Sequence, residues 1–464
     1  MSEVHTEVEK LDSSKVSVHP HAELFKRPTG WRRYYYHPIT QVSMLGFVCF
    51  LGPGIFTALT GLGGGGQVNS KVQANASAIL YATLAFFGLF SGSINNVLGP
   101  RWTLVLGTLG YSLYIASFLV INIHPDASAF VIAAGAILGI CAALLWTAQG
   151  SLMMAYPTEA QKGTFISIFW TIFNLGGVMG SAVAFGTSFN RTVIGNGTYV
   201  GFLILTLVGV FLPLLMANPN KVIRTDGTHV NQVRYPSWKT EVSRLYVALK
   251  TDPWIILLFP MFIASNYCYT WEYNNYNGAI FTIRARALNS LMSYTSQVLG
   301  SIFLGYFILD QKRVRRRVRA FYGWILVFFV AFASHVWAYF YQKTYTRAEA
   351  MKDAYKIDII DETYVAHVWV MIVHGLLDSM LQTYAYWLIG AMSNDPAKLA
   401  VFTGFYKSLQ SAGAAGAWST DAAGIPYLNI FLSTWCLMVG SMIFAAPMVY
   451  LRVTDHTEVE DETL

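Results

Sequence analysis

The chain has 464 residues, of which 54% are hydrophobic, 15% aromatic and only 12% charged. Soluble proteins carry about 25% charged residues, so the composition excludes an ordinary water-soluble protein of about three domains and indicates a polytopic membrane protein. The formal charge of +6 does not point to nucleic acid, because the basic residues follow the membrane segments.

Lipid satisfies no backbone polar group, so such a chain must span as helices or as a closed barrel. The apolar runs are of helix length and do not alternate with period two, which selects helices. The expected fold is therefore all-α. Residues 1–36 read as a disordered cytosolic tail ending in a basic, aromatic interfacial anchor (Lys26, Arg27, Arg32, Arg33 and Tyr34 to Tyr36). Six spans are expected at about 39–62, 77–97, 102–122, 129–154, 164–188 and 199–217. A cytosolic connector over 218–252 precedes six more, at about 253–275, 287–309, 320–342, 364–391, 399–418 and 427–451. The organisation is thus a six-helix bundle over 37–217, the connector, a second bundle over 253–451 and an acidic cytosolic tail over 452–464.

Twelve crossings put both termini on one face. With that face cytosolic, the inner segments hold 22 Lys/Arg and the outer loops 8, which orients the termini inward by the positive-inside rule. Three sequons, at Asn75, Asn190 and Asn196, fall in loops assigned to the outside, as expected for glycosylation in a secretory system. The expected location is the plasma membrane or an endomembrane. The four cysteines (Cys49, Cys141, Cys268 and Cys436) lie in apolar spans without disulfide or metal spacing, and read as packing residues.

An internal repeat runs through the chain. A shift of 236 positions lays Gly139 on Gly375, Phe169 on Phe405, Trp170 on Tyr406, Asn174 on Gln410 and Gly177 on Gly413. The same shift lays Ala142 on Asp378 and Thr171 on Lys407, so these two charges are peculiar to the second half. Two six-helix halves with sites at the midplane between them are the architecture of major facilitator transporters.

Asp378 and Lys407 lie near the middles of consecutive spans. A charge at a membrane helix centre costs roughly 2.5–3.5 kcal/mol on insertion scales, so two opposite charges at matching depth are expected to pair. His367, His374, Asp378 and Gln382 fall on one helix face, and Gln410 follows Lys407 by one turn. A substrate or proton-coupling site of Asp378, Lys407, His374, Gln382, Gln410 and Asn174 competes with a purely structural polar seam. Asn266 and Gln297 are further midspan amides facing the same expected cavity. Glu272, in the run Trp271 to Tyr276, is a candidate for an outer gate. The run Lys312 to Arg319 reads as an anchor to anionic lipid rather than a nucleic-acid patch. The polyglycine turn over 61–66 lacks the Lys-Ser/Thr of a phosphate loop and reads as a flexible outer loop or hinge. No nucleophile–base spacing, metal cluster or cofactor motif is visible, so no cofactor is expected and an enzyme is not.

The turn Gly92 to Arg101 resembles the facilitator motif G-x-x-x-D-x-x-G-x-[RK], which helps to hold the inner gate; Asn96 stands where Asp is usual, and Arg101 keeps the basic position. Gly61 to Gln67, Gly139 to Gly150 around Trp146 and Gln149, Arg284 to Asn289, Gly375 to Tyr384 around Asp378, and Gly404 to Gly413 around Lys407 together resemble the uncoordinated-93-like family. The resemblance spans roughly residues 40–450 and implies a facilitator-type fold of the fungal-type branch. Some members are known as regulators of potassium channels or trafficking partners of receptors, while many fungal and plant relatives are regarded as transporters. The expected function is secondary transport of a small molecule or ion by alternating access. The alternative is a non-transporting regulator of a channel or receptor on a transporter scaffold.

Overall fold

A computed structural model describes residues 29–66, 70–158, 161–190, 194–228, 230, 243, 246–247, 249–311, 313–352, 355–393 and 396–455. The expected tail over 1–28, most of the connector from 231 to 248 and the acidic end from 456 lie outside the described residues, as does Lys312.

Among the described residues, twelve helical segments have the length of a membrane span. They are α1 (Pro38–Gly61), α2 (Ser70–Leu98), α3 (Pro100–Ile123), α4 (Ser128–Ala155), α5 (Lys162–Ser188) and α6 (Asn196–Leu215), then α7 (Pro253–Gly278), α8 (Ile283–Leu309), α9 (Arg316–Gln342), α10 (Tyr364–Met392), α11 (Pro396–Ala422) and α12 (Tyr427–Arg452). Eleven are apolar enough to cross a membrane on composition alone. α11 is the less apolar one, because it carries Lys398, Lys407 and Asp421. Its burial among neighbours, with Leu399, Phe402, Tyr406, Ala414 and Trp418 almost inaccessible, takes the place of lipid exposure.

Glycines set the close approaches that hold the bundle. A Cβ at Gly139 on α4 would overlap Thr83 and Leu80 of α2, and one at Gly375 on α10 would lie 2.5 Å from Ser293 O of α8. These two positions are one repeat apart, so the recurring glycine reflects the same helix–helix contact built twice, with no side chain between the backbones. The two sets of six helices meet where α2 packs on α11 and α5 packs on α8. Helices α2 and α3 are joined through Gly99 alone, at φ +77°, followed by Pro100 at the first helical position.

Three sequence expectations are corrected at the element ends. Helix α2 begins at Ser70, about two turns before the expected 77, because Gln73 and Ala74 are buried against protein rather than lipid, a burial hydropathy does not register. Asn75 accordingly sits half-buried inside a helix and not in a loop. The first 36 residues are not all tail: Trp31–Tyr35 form a helical turn, and Tyr35 Oη donates to Leu215 O at 2.6 Å. Arg452 ends α12 in an ion pair with Asp252 at 2.7 Å, and Asp455 accepts from the Arg317 amide, so residues 452–455 are packed against the bundle.

Candidate functional site

A cavity lies between the two sets of helices. Its wall comes from α1, α2, α3, α4 and α5 on one side and α7, α8, α10 and α11 on the other. Asp378, Gln382, Lys407, Gln410 and Asn174 all face it, as do the midspan amides Asn266 and Gln297. Much of the rest is aromatic: Phe56, Tyr81, Tyr111, Trp146, Trp170, Phe173, Tyr269, Tyr273 and Tyr294.

Asp378 and Lys407 do not form the direct ion pair expected from their depths. Asp378 Oδ2 accepts from Tyr269 Oη at 3.0 Å and Oδ1 from Gln382 Nε2 at 2.9 Å. Lys407 Nζ donates to Gln410 Oε1 at 2.8 Å, and Gln410 Nε2 reaches Gln382 Oε1 at 3.4 Å. Two glutamine amides thus bridge the charges, and helix spacing explains why: Asp378/Gln382 are four residues apart and Lys407/Gln410 three, so each amide folds back on the charge of its own helix. The ammonium sits among four rings, 4.8 Å from the centroid of Trp146, 5.7 Å from Trp170, 5.5 Å from Tyr386 and 5.4 Å from Tyr406. Trp170 and Tyr406 are repeat equivalents, so the repeat supplies a matched pair of rings to one cation. These aromatic neighbours were not anticipated; Trp146 and Trp170 flanking polar midspan positions were the available signal.

His374 lies elsewhere. Its Nδ1 shares a hydrogen bond with Val370 O at 2.9 Å, and its ring packs 5.2 Å from Trp271 and 5.1 Å from His335 of α9. The four-residue step from Asp378 is real, but the intervening turn directs the ring to α9 rather than to the cavity. His367 lies further along α10 against Tyr341, 4.4 Å between rings, also outside the cavity.

Glu272 is buried within the π-helical end of α7, its backbone N–H donating to Cys268 O at 3.0 Å. The closure at this end is made by its neighbours. Asn274 Oδ1 accepts from Gly64 N–H at 2.9 Å, and Asn277 Nδ2 donates to Gly61 O at 2.8 Å. Tyr294 Oη of α8 donates to Thr57 O at 2.6 Å. Asp421 gathers Asn274, Asn275 and Arg347 at 3.0, 2.7 and 2.8 Å. The glycine run is therefore no flexible hinge. Gly63 to Gly66 all have positive φ, the run is packed between α7, Phe118 and Ile194, and Tyr199 Oη donates to Gly65 O at 2.8 Å. Only glycine tolerates both the left-handed backbone and contact this close.

On the opposite face, Asn96 is half-buried in the last turn of α2, and Arg101 half-buried in the first turn of α3. The basic run divides: Arg316, Arg317 and Arg319 donate to Ala391 O, Tyr450 O and Leu309 O, capping helix ends, while Arg313 and Arg315 are exposed. Asn190 and Asn196 are exposed at the α5–α6 turn, where Asn196 Oδ1 accepts from Asn122 Nδ2 at 2.6 Å. Cys49 and Cys268 are buried, Cys141 half-buried and Cys436 exposed, all as free thiols.

The family profile described as "Ion channel regulatory protein UNC-93" matches residues 65–446. The chain belongs to the UNC-93 family. It is 43% identical to UNC93-like protein C922.05c of Schizosaccharomyces pombe, over 92% of this chain and 85% of that protein. It is 37% identical to UNC93-like protein 1 of Arabidopsis thaliana, over 96% and 98% of the two chains. Among solved structures, the xylose transporter XylE of E. coli, in a partially occluded inward-open conformation, superposes with a TM-score of 0.61 over 92% of this chain and all of XylE, at 13% identity. At that identity the likeness establishes the fold: this UNC-93 member is a multi-pass integral membrane protein with a major facilitator fold.

Proposed function

We propose that this UNC-93 protein is a secondary transporter of a small molecule, working by alternating access around the cavity between its helix sets. The supporting observation is the cavity itself, lined from both sets and holding one carboxylate and one ammonium bridged by amides. Intramembrane charges are costly and concentrate on transport pathways. Asp378, Gln382, Lys407, Gln410 and Asn174 form the substrate or coupling set; His374 belongs to it only through α10. Asn96 and Arg101 would govern the inner gate and the α7 end around Glu272 the outer one, with both termini cytosolic. Asn190 and Asn196 are the exposed glycosylation candidates. In cells with matched surface expression, Asp378→Asn and Lys407→Ala are expected to abolish the change in small-molecule pools that deletion of the protein causes. Wild-type pools in both variants would refute the mechanism.

A second reading, a regulator of a channel or receptor, draws on the family description and on Asn96 in place of the gate Asp. A stoichiometric membrane partner, together with pools unaffected by deletion or by Lys407→Ala, would select it.

A further inference from the structure

Lys407 is a cation without a counter-ion in contact. Its ammonium makes one hydrogen bond, to a neutral amide, and otherwise meets π faces, while Asp378 is reached only through two glutamines. An ammonium has three donors, so two remain for a ligand. Trp170, whose ring centroid lies 5.7 Å from the ammonium, is buried and lines the cavity, and its Nε1–H has no partner. Across the cavity, Asn266 Oδ1 is a buried acceptor with no partner. Both Asp378 oxygens already accept hydrogen bonds.

We infer that the cavity takes a planar aromatic acid, its carboxylate on Lys407 Nζ and Trp170 Nε1, its ring against the aromatic wall, and a ring hydroxyl or N–H on Asn266 Oδ1. The inference deepens the substrate-site reading and rests on it. The unused valences decide the class. A cation would face Lys407 with Asp378 already engaged. The wall also carries hydroxyls (Thr57, Ser301, Ser379, Thr383 and Ser411), so the charge of Lys407, rather than a lack of polar groups, selects an acid. An acid on Lys407 supplies the missing counter-charge, and a carboxylate accepts from two donors at once. Rings on both sides of a flat ligand contribute offset or edge contacts that an aliphatic acid does not match.

The test is binding to the purified protein in lipid nanodiscs, by tryptophan fluorescence and calorimetry, with four probes: 4-hydroxybenzoate, cyclohexanecarboxylate, phenol and tyramine. Saturable binding is expected for 4-hydroxybenzoate, with the other three at least about tenfold weaker. Trp170→Phe, which keeps a ring and removes the N–H, and Lys407→Gln are each expected to weaken 4-hydroxybenzoate by about tenfold, the scale of a hydrogen bond to a charged group. Trp170→Phe carries the test if Lys407→Gln does not give a monodisperse protein. Absence of saturable binding, equal binding of phenol or tyramine, or indifference to Trp170→Phe overturns the inference. Flux in proteoliposomes separates the two claims. An acid that binds as described but never crosses supports the site and removes transport; accumulation of another class by a protein that ignores the acid overturns the site and keeps transport.

Discussion

Gly63→Ala should unlatch one face of the protein. Gly63 has φ +69°, and a Cβ there would overlap Tyr273 O and lie 2.6 Å from Gly278 Cα, both on the facing end of α7. Left-handed strain of about 1–2 kcal/mol accompanies any Cβ at such a φ, whichever conformation the protein adopts. The steric overlap acts only when α7 is closed on the glycine run, and overpacking of this kind costs about 1–3 kcal/mol. At 1.4 kcal/mol per factor of ten, the closed state loses about 5- to 150-fold in population relative to the open one. Gly424→Ala is the control, because Gly424 has φ +78° but nothing within 4 Å of an added Cβ. The assay places a single cysteine at Asn266, on the cavity wall, in a background where the four native cysteines are serine, and measures labelling by an impermeant thiol reagent from the face opposite the termini. Labelling should quicken in Gly63→Ala and stay at its base rate in Gly424→Ala. Equal rates in both variants, at equal folded yield, would refute the claim that the glycine run is a latch.

Gly139→Val places a branched side chain where a Cβ already overlaps Thr83 and Leu80, so it should destabilise the α2–α4 contact by about 1–3 kcal/mol, read as a lower melting temperature in nanodiscs; an unchanged melting point would show that the helices simply separate. Asp358, in the loop before α10, should report acid opening of that loop. The Arg284 hydrogen bond, then those from Thr282 and the Ile359 amide, hold its pKa at about 2 against an ordinary 3.8. A depressed acid pKa means the stabilisation is full above the ordinary value and is lost as pH falls through the folded one. Amide protection at Ile357, which bonds Ile280 O at 2.7 Å, should therefore hold down to about pH 4 and fall toward pH 2, with Asp358→Asn lower throughout; loss already at pH 5 would contradict this.

The spans were legible because lipid-facing helices must be apolar along their length, and the bounds of α5 and α10 fall within about two residues of the hydropathy reading. Hydropathy fails where protein replaces lipid as the neighbour. The start of α2 at Ser70 and the polar character of α11 both follow from that. In the cavity, one-dimensional depth correctly put Asp378, Lys407, Gln382, Gln410 and Asn174 together. It misjudged how they touch, since side-chain reach and rotamer decide between a direct ion pair and an amide bridge. His374 shares a helix face with Asp378 in projection, yet α9 supplies His335 to receive it. The glycine run looked flexible because isolated glycines are; positive φ at all four positions and overlap at Gly63, Gly65 and Gly66 are tertiary facts that no local pattern encodes.

The position of Lys407 also connects the two helix sets. Its ammonium is held partly by Trp146 and Trp170, which belong to α4 and α5, and partly by Tyr386, Tyr406 and Gln410, which belong to α10 and α11. Under the alternating-access proposal, rocking of the two helix sets separates the first pair from the second. Each cation–π contact given up is worth about 0.5–2 kcal/mol, so an empty cavity favours the arrangement in which both tryptophans stay on the cation. The proposed carboxylate, held by Lys407 of α11 and Trp170 Nε1 of α5 together, adds a contact across the sets and favours the arrangement in which they stay joined. A ligand can shift a conformational equilibrium only through such a difference in affinity between states. An aromatic acid would meet that condition, because only the joined arrangement of α5 and α11 offers its carboxylate both Lys407 Nζ and Trp170 Nε1.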